Sequence, residues 1–149
     1  MDINVYLSGE IHSDWRKEII TLCNKEKLKI TFTSPVTNHN LSDDCGSIIL
    51  GNEENKFWHD HKSAKLNAIR TRNLIENADV LIVKFGQKYK QWNAAYDAGY
   101  ASALGIPIIC IHNKENQHAL KEIDAAALAV TENNLQVVQI LKYVLSGDI

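Results

Sequence analysis

The residues best placed to do chemistry lie in the run KQWNAAYDAGYASAL, residues 90–104, where one carboxylate, Asp97, stands among Ala94, Ala95, Ala98, Ala101 and Ala103 with Gly99 close by. Small side chains let a helix approach its neighbours closely, so a carboxylate among them faces a cleft or a packed interface. The alternative is a solvated acid near a helix N-terminus, where the positive end of the dipole favours an anion. In a cleft, a carboxylate can attack an electrophilic carbon or stabilise the positive charge that grows on a sugar as its bond to a base breaks. Aromatic faces that could stack on a base or sugar surround this run: Phe85, Tyr89 and Trp92 nearby, and Trp15 farther off. Trp15 also fits core packing, and Trp92 sits in a polar loop.

Basic residues are densest around Arg70 and Arg72, with Lys62, Lys65, Lys84, Lys88 and Lys90 flanking them. They make either a solvated helix face or a place to capture phosphate, which a planar guanidinium binds with two hydrogen bonds. His59, Asp60 and His61 resemble the start of a zinc site, but no third ligand follows at a diagnostic spacing, so no metal is expected. His112 and His118 flank a later loop and are open to acid–base or structural roles. Glu10 and His12 fall in an early loop, facing ligand or solvent. The three cysteines, Cys23, Cys45 and Cys110, form no CxxC motif, and two of them sit in apolar surroundings that suit free thiols.

These groups are positioned by alternating strands and helices. INVYLSG reads as a strand and SDWRKEIITLCNKEKL as a helix with Ser13 as candidate N-cap; KITFTSP is a second strand ended by Pro35. VTNHNLSDDCGSIILGNEEN, residues 36–55, lacks a period and reads as the longest loop. HDHKSAKLNAIRTRNLIENA is helical in spacing and leads into DVLIVKFG, while the alanine-rich helix ends at Gly105 and leads into IPIICIH. Both of these strands are continuously apolar, hence buried on both faces. A helical turn and a short strand within HALKEIDAAALAVT, then an amphipathic helix over NNLQVVQILKYVLSG, complete the chain. The expectation is one α/β domain over residues 1–149, a three-layer, doubly wound (flavodoxin-like) parallel sheet of about five strands ordered 2-1-3-4-5. Ligands of such sheets bind beyond the carboxyl ends of the strands, which singles out SGEIHSDW, FGQKYKQWNAAYD and HNKENQH.

The 149 residues are 45% hydrophobic and 23% charged with a net charge of −2. That balance suits a globular domain and offers no field for long nucleic acids. No run approaches the roughly 20 apolar residues of a membrane span, and the opening residues lack a basic-then-apolar signal, so a soluble, cytoplasmic protein is expected.

DAGYASALGIPII resembles the nucleophile helix of the nucleoside 2-deoxyribosyltransferase family, in which a glutamate stands at the place of Asp97. NVYLSG resembles the family's first strand, whose tyrosine hydroxyl holds the nucleophile, a role that would fall on Tyr6. IENADVLIV resembles its third strand. FGQKYKQWNAAYDAGYASALG followed by HALKEIDAAALAV is similar to the YtoQ-type branch of that superfamily, over nearly the whole chain. The sequence departs from the family pattern in the shorter Asp97, in bulky Tyr89 and Trp92 within the loop before it, and near Thr71, where relatives place an aspartate that serves the nucleobase.

The resemblance implies N-glycosidic chemistry, 2-deoxyribosyl transfer or hydrolysis, on a small-molecule nucleoside or nucleotide, with Asp97 and Tyr6 catalytic. Ser8, Gly9, Glu10, Arg70, Arg72, Phe85, Gly86, Gln91, Trp92, Asn93 and His112 would bind substrate. No cofactor or metal, no membrane and no nucleic acid polymer is expected, and a dimer-based homo-oligomer is. A non-catalytic nucleotide-binding module that kept the cleft is the alternative, and a scaffold using the alanine-rich helix for assembly is a third.

Overall fold

A computed structural model describes all 149 residues. The order is β1 (Ile3–Gly9), α1 (Trp15–Lys25), β2 (Ile30–Thr33), α2 (His39–Leu50), α3 (Lys56–Glu76), β3 (Val80–Lys84), α4 (Trp92–Ala103), β4 (Ile108–Ile111), α5 (Lys121–Ala126), β5 (Ala129–Thr131) and α6 (Asn134–Ser146). All strand pairs are parallel and the sheet order is β2-β1-β3-β4-β5, as the alternation of elements requires. No helix is long and apolar enough to cross a membrane.

Strand alternation divides the interior in two, because successive side chains point to opposite faces. Val5, Leu7, Val80, Ile82, Ile109 and Ile111 pack with Trp15, Ile19 and Cys23 of α1 and Val137, Val138 and Leu141 of α6. Tyr6, Leu81, Val83, Ile108 and Cys110 pack on the other face against Ile75 of α3 and Ala94, Ala98 and Ala101 of α4. The continuous apolar runs of β3 and β4 are thus explained by two covered faces. On β1 the α3/α4 face is different, since it carries Tyr6 and Ser8, both buried and both polar.

The segment read as a long loop contains a helix. Asn38 caps α2 by accepting a hydrogen bond from Leu41 N at 2.9 Å. α2 packs on α3, and its single buried residue is Gly46. That is why no apolar period marks it: Ile48, Ile49 and Leu50 are exposed, and the contact runs through small and polar groups. Ser63 Oγ accepts from Gly46 N at 3.0 Å, and Asn67 Nδ2 donates to Ser42 O at 3.0 Å. Ser13 does not cap α1 either. Asp14 holds that position without a side-chain bond, and the Ser13 hydroxyl instead donates to Glu10.

Two helix glycines should respond oppositely to alanine. A β-carbon at Gly46 would overlap backbone atoms of Lys62 and Ser63, whereas one at Gly99 meets nothing within 4 Å. Alanine gains up to about 1 kcal/mol over glycine inside a helix, but overpacking against atoms that cannot move costs about 1 to 3 kcal/mol. In urea denaturation Gly46→Ala is expected to be less stable than wild type by about 1 to 2 kcal/mol and Gly99→Ala to be as stable or more so. A stabilised Gly46→Ala would show that α2 does not pack closely on α3.

Candidate active site

Beyond the carboxyl ends of β1 and β3, and between α3 and α4, lies a cavity of about 990 Å³. Its floor is set by two elements. β1 delivers Ser8 to the α3/α4 face by strand alternation, and α4 presents Asp97 on the same stripe as Ala94, Ala98 and Ala101, the i, i+3, i+4, i+7 positions that meet the sheet. Asp97 is only 8% exposed. Ser8 Oγ donates to its Oδ2 at 2.7 Å. Burial raises the Asp97 pKa from 3.8 to about 6, and the Ser8 hydrogen bond pulls against that shift. Because Asp97 lies in the second turn, the helix dipole, which acts within the first, is a minor influence.

Tyr6 does not hold this carboxylate, contrary to expectation. Its hydroxyl is fully buried, lying beside the Thr71 side chain of α3 but outside strict hydrogen-bond geometry, and Ser8, two residues along on the same face, makes the bond to Asp97 instead. Burial, then the nearby Asp97 charge, pushes the Tyr6 pKa upward, so its proton stays in place.

The loop after β1 is built before any ligand arrives. Glu10 is buried and accepts from His12 N at 2.6 Å and Ser13 N at 3.1 Å, as well as from the Ser13 hydroxyl. Burial would raise its pKa, but these hydrogen bonds and Lys84 outweigh it and leave the carboxyl below its ordinary value. Glu10 therefore shapes the cavity wall with a carboxylate already engaged by its own loop. Arg16 completes the frame by donating to the carbonyls of Leu7, Gly9 and Glu10 at 3.0, 3.0 and 2.7 Å. Sequence reasoning missed Arg16, because its partners are backbone carbonyls that carry no residue signature. Gly9 is required by its own backbone: φ is +127°, and a β-carbon there would overlap Lys84.

The loop after β3 forms the other rim. Gly86 N donates to Gln91 Oε1 at 3.0 Å, and Gln91 in turn donates to Tyr89 O. Tyr89 meets His12 across the mouth, ring centroids 4.7 Å apart. Trp92 and Asn93 line the cavity, and Trp92 is 72% exposed at its edge. Arg70 and Arg72 both line it from α3. Arg72 donates to Tyr96 OH at 3.1 Å, while Arg70 reaches only Ser34 O, at 3.5 Å.

Ser8, Gly9, Glu10, Arg70, Arg72, Gln91, Trp92, Asn93 and Asp97 are thus brought together around one cavity. Three expected substrate contacts are not. Phe85 is buried in the core behind α4, and Gly86 serves the loop turn, its α-carbon packed beside Glu10. His112 lies on β4's exit, bonded to Asp124 of α5 rather than facing the cavity, because β4 is one strand farther from β1. α2 supplies wall residues that sequence reasoning missed, His39, Ser42 and Asp43, all within the segment read as a loop.

The family model described as nucleoside 2-deoxyribosyltransferase YtoQ matches residues 6–145. A protein described as uncharacterised protein YtoQ of Bacillus subtilis (strain 168) is 44% identical over 148 residues, 99% of this chain and 100% of its own. Among solved structures, a conserved protein from Enterococcus faecalis V583 superposes with a TM-score of 0.66 at 13% identity, covering 97% of this chain and 100% of the other. A 2-deoxyribosyltransferase from Bacillus psychrosaccharolyticus does so with a TM-score of 0.55 at 17% identity, covering 91% and 90%. At those identities the two structures speak for the fold.

A carboxylate whose folded pKa is raised binds more protons in the native than in the unfolded state between pH 3.8 and about 6. Stability from this group therefore falls as pH rises through that window. The rise from 3.8 to about 6 corresponds to at most about 3 kcal/mol at neutral pH. Asp97→Asn should accordingly be more stable than wild type above pH 6, with the difference shrinking toward pH 4. Urea midpoints against pH measure it, and an Asn variant less stable at pH 7.5 would mean the carboxylate is not strained by its burial.

Proposed function

The chain belongs to the family described as nucleoside 2-deoxyribosyltransferase YtoQ, and from that membership we propose that it acts on the N-glycosidic bond of a nucleoside or nucleotide, transferring or hydrolysing the sugar. The observation that carries this reading is the buried Asp97 carboxylate at the floor of a large cavity, held by Ser8 at 2.7 Å. Structural stability alone does not favour an acid there, since burial raises its pKa.

In the proposed reaction the sugar sits over Asp97 and the base toward the aromatic rim of Tyr89, Trp92 and Tyr96. As the bond to the base breaks, the Asp97 oxygen that Ser8 does not hold attacks the anomeric carbon or balances its positive charge. An acceptor base or water then completes transfer or hydrolysis. Tyr6, which makes no bond to Asp97 at rest, takes up a second positioning role only during turnover. Its buried hydroxyl has a proton to donate and lies close enough to feel the Asp97 charge.

Screening nucleosides and nucleotides for release of free base, with products identified by mass, tests the activity. Asp97→Asn should bind as wild type does but turn over more slowly by a factor on the order of 10³ or more. Wild-type turnover should fall as pH drops through about 6, when Asp97 takes up its proton. Tyr6→Phe should lower kcat with little change in KM if the hydroxyl engages Asp97 during turnover. Unchanged turnover in Asp97→Asn would leave the non-catalytic binding module as the reading, for which the missing Tyr6–Asp97 bond speaks.

Phosphate recognition belongs to the same proposal. Arg70 lines the cavity with one long contact to protein, so its guanidinium has donors to spare. Hydrogen bonds to charged groups contribute about 1.5 to 3 kcal/mol, and exposure reduces that. A nucleoside monophosphate should bind roughly tenfold more tightly than its nucleoside, about 1.4 kcal/mol, and Arg70→Ala should remove most of the difference by calorimetry. Equal affinities in wild type would place Arg70 on a merely solvated face.

A further inference from the structure

Three side chains with different donor atoms converge on β4, two strands across the sheet from β1, which carries Asp97's partner Ser8. Cys110 belongs to β4, His112 follows that strand by one residue, and Asp124 comes from α5. The alternation of β4 turns Cys110 and His112 to the same side, and α5 lays Asp124 across them. A ligand atom from each lies within 4.8 Å of the others, and Cys110 and His112 are buried. None of the three lines the large cavity.

The hydrogen bonding of His112 poses a definite chemical question. Nδ1 is 2.7 Å from the carbonyl oxygen of Asn113, which can only accept, so Nδ1 carries a hydrogen. Nε2 then faces both oxygens of Asp124, at 2.9 and 3.0 Å. A bare nitrogen lone pair against a carboxylate is repulsive, so a positive particle must lie between them. A proton satisfies that pair, with the Cys110 thiol hydrogen-bonded to the same Asp124 carboxylate. A metal cation satisfies all three. A histidine whose other nitrogen donates to a backbone carbonyl is also the usual orientation of a metal-ligating imidazole.

We propose that Cys110, His112 and Asp124 bind a divalent cation of the zinc class, outside the nucleoside cavity and independently of any reaction there. Thiolate, imidazole and carboxylate together suit zinc and are a poor match for magnesium or calcium, which take oxygen ligands. Ligand atoms around tetrahedral zinc stand roughly 3 to 4 Å apart given bonds of about 2.0 to 2.3 Å, so closing the cluster needs only small side-chain rotations. Burial and then the Asp124 charge push the Cys110 thiol up to about 12, which makes it an inert thiol until a cation draws off its proton. The way in is a second cavity of about 470 Å³, lined by Asp124, Lys114, Glu115, Gln117, His118 and Lys121. Water from that cavity can supply the fourth ligand. Lys114 and Lys121 oppose a cation at the mouth, although Lys114 leans toward Glu132 at 3.8 Å. The bound ion would pin α5 to the end of β4.

The test uses the full-length protein stripped with chelator and then titrated with Zn²⁺, and separately with Co²⁺ as a spectroscopic stand-in. One zinc per chain is expected, with a rise in Tm and, for cobalt, a thiolate-to-metal charge-transfer band. Cys110→Ser, nearly isosteric, should keep the fold by circular dichroism, lose the cobalt band and weaken zinc binding at least tenfold. Asp124→Asn gives the same readout by weakened zinc binding should the serine variant not fold. Substoichiometric zinc in wild type at micromolar metal, or equal affinity in wild type and either folded variant, would overturn the site and leave His112 and Asp124 as a proton-bridged pair.

Discussion

The hydrogen bond from Ser8 to Asp97 governs how the rest of the molecule is arranged. A carboxylate on the buried stripe of α4 loses its water, and taking a charge out of water is costly unless hydrogen bonds replace it. One bond from Ser8 replaces part of that hydration, and the raised pKa of about 6 shows that it replaces only part. The bond in turn demands a short distance between α4 and β1, although β3 lies between β1 and β4 in the sheet. Ala94, Ala98 and Ala101 make that approach: anything larger on the stripe would hold the helix away and leave Ser8 and Asp97 apart. The alanine-rich helix is therefore explained by the acid within it.

The same economy appears in how the first loop is held. β1 ends in Gly9, whose left-handed backbone turns the chain over Lys84, and the loop beyond it is fastened from within by Glu10 and from outside by Arg16. Arg16 addresses three carbonyls at the strand's end, sharing that of Glu10 with the Trp15 indole N–H. A loop fastened on both sides keeps the Ser8 hydroxyl aimed at Asp97 before any ligand binds, the preorganisation that the proposed reaction would require. Tyr6 is left outside this network. Its buried hydroxyl, beside Thr71 but outside strict hydrogen-bond geometry, keeps its proton next to the Asp97 charge.

Strand order was legible in the sequence because the apolar runs of β3 and β4 can be buried on both faces only in the middle of a sheet, and alternation with helices forces parallel pairing. Asp97 was legible for a related reason, since a charge amid alanines conflicts with its surroundings. What escaped reading were contacts carried by backbone or by small residues. α2 gave no period because it docks through Gly46, Ser63 and Asn67, not through an apolar stripe. Arg16 is one basic residue in a helix until its three carbonyls are seen. The family resemblance places Tyr6 on Asp97, because its strand and its residue type match the family's tyrosine. Ser8 fitted the strand equally well, and the side chain that reached was the shorter one.

His112 shows how far the sheet's sidedness extends. Ligand sites of doubly wound sheets gather beyond the carboxyl ends of strands, a rule that by itself would bring the exits of β1, β3 and β4 to one cleft. The cleft, however, forms on the α3/α4 face between the exits of β1 and β3, and α4 itself stands between that cleft and α5. Contacts run from α4 to α5 and from α5 to β4. A polar residue leaving β4 on this face therefore meets α5, not the cavity, and finds Asp124 there at 2.9 Å. Two polar clusters arise from one rule, the alternation of side chains on parallel strands, and the helix between them keeps their chemistry separate. Asp97 lies with Ser8 in a space large enough for a nucleoside, whereas His112 lies with Cys110 and Asp124 in a space that suits a single ion.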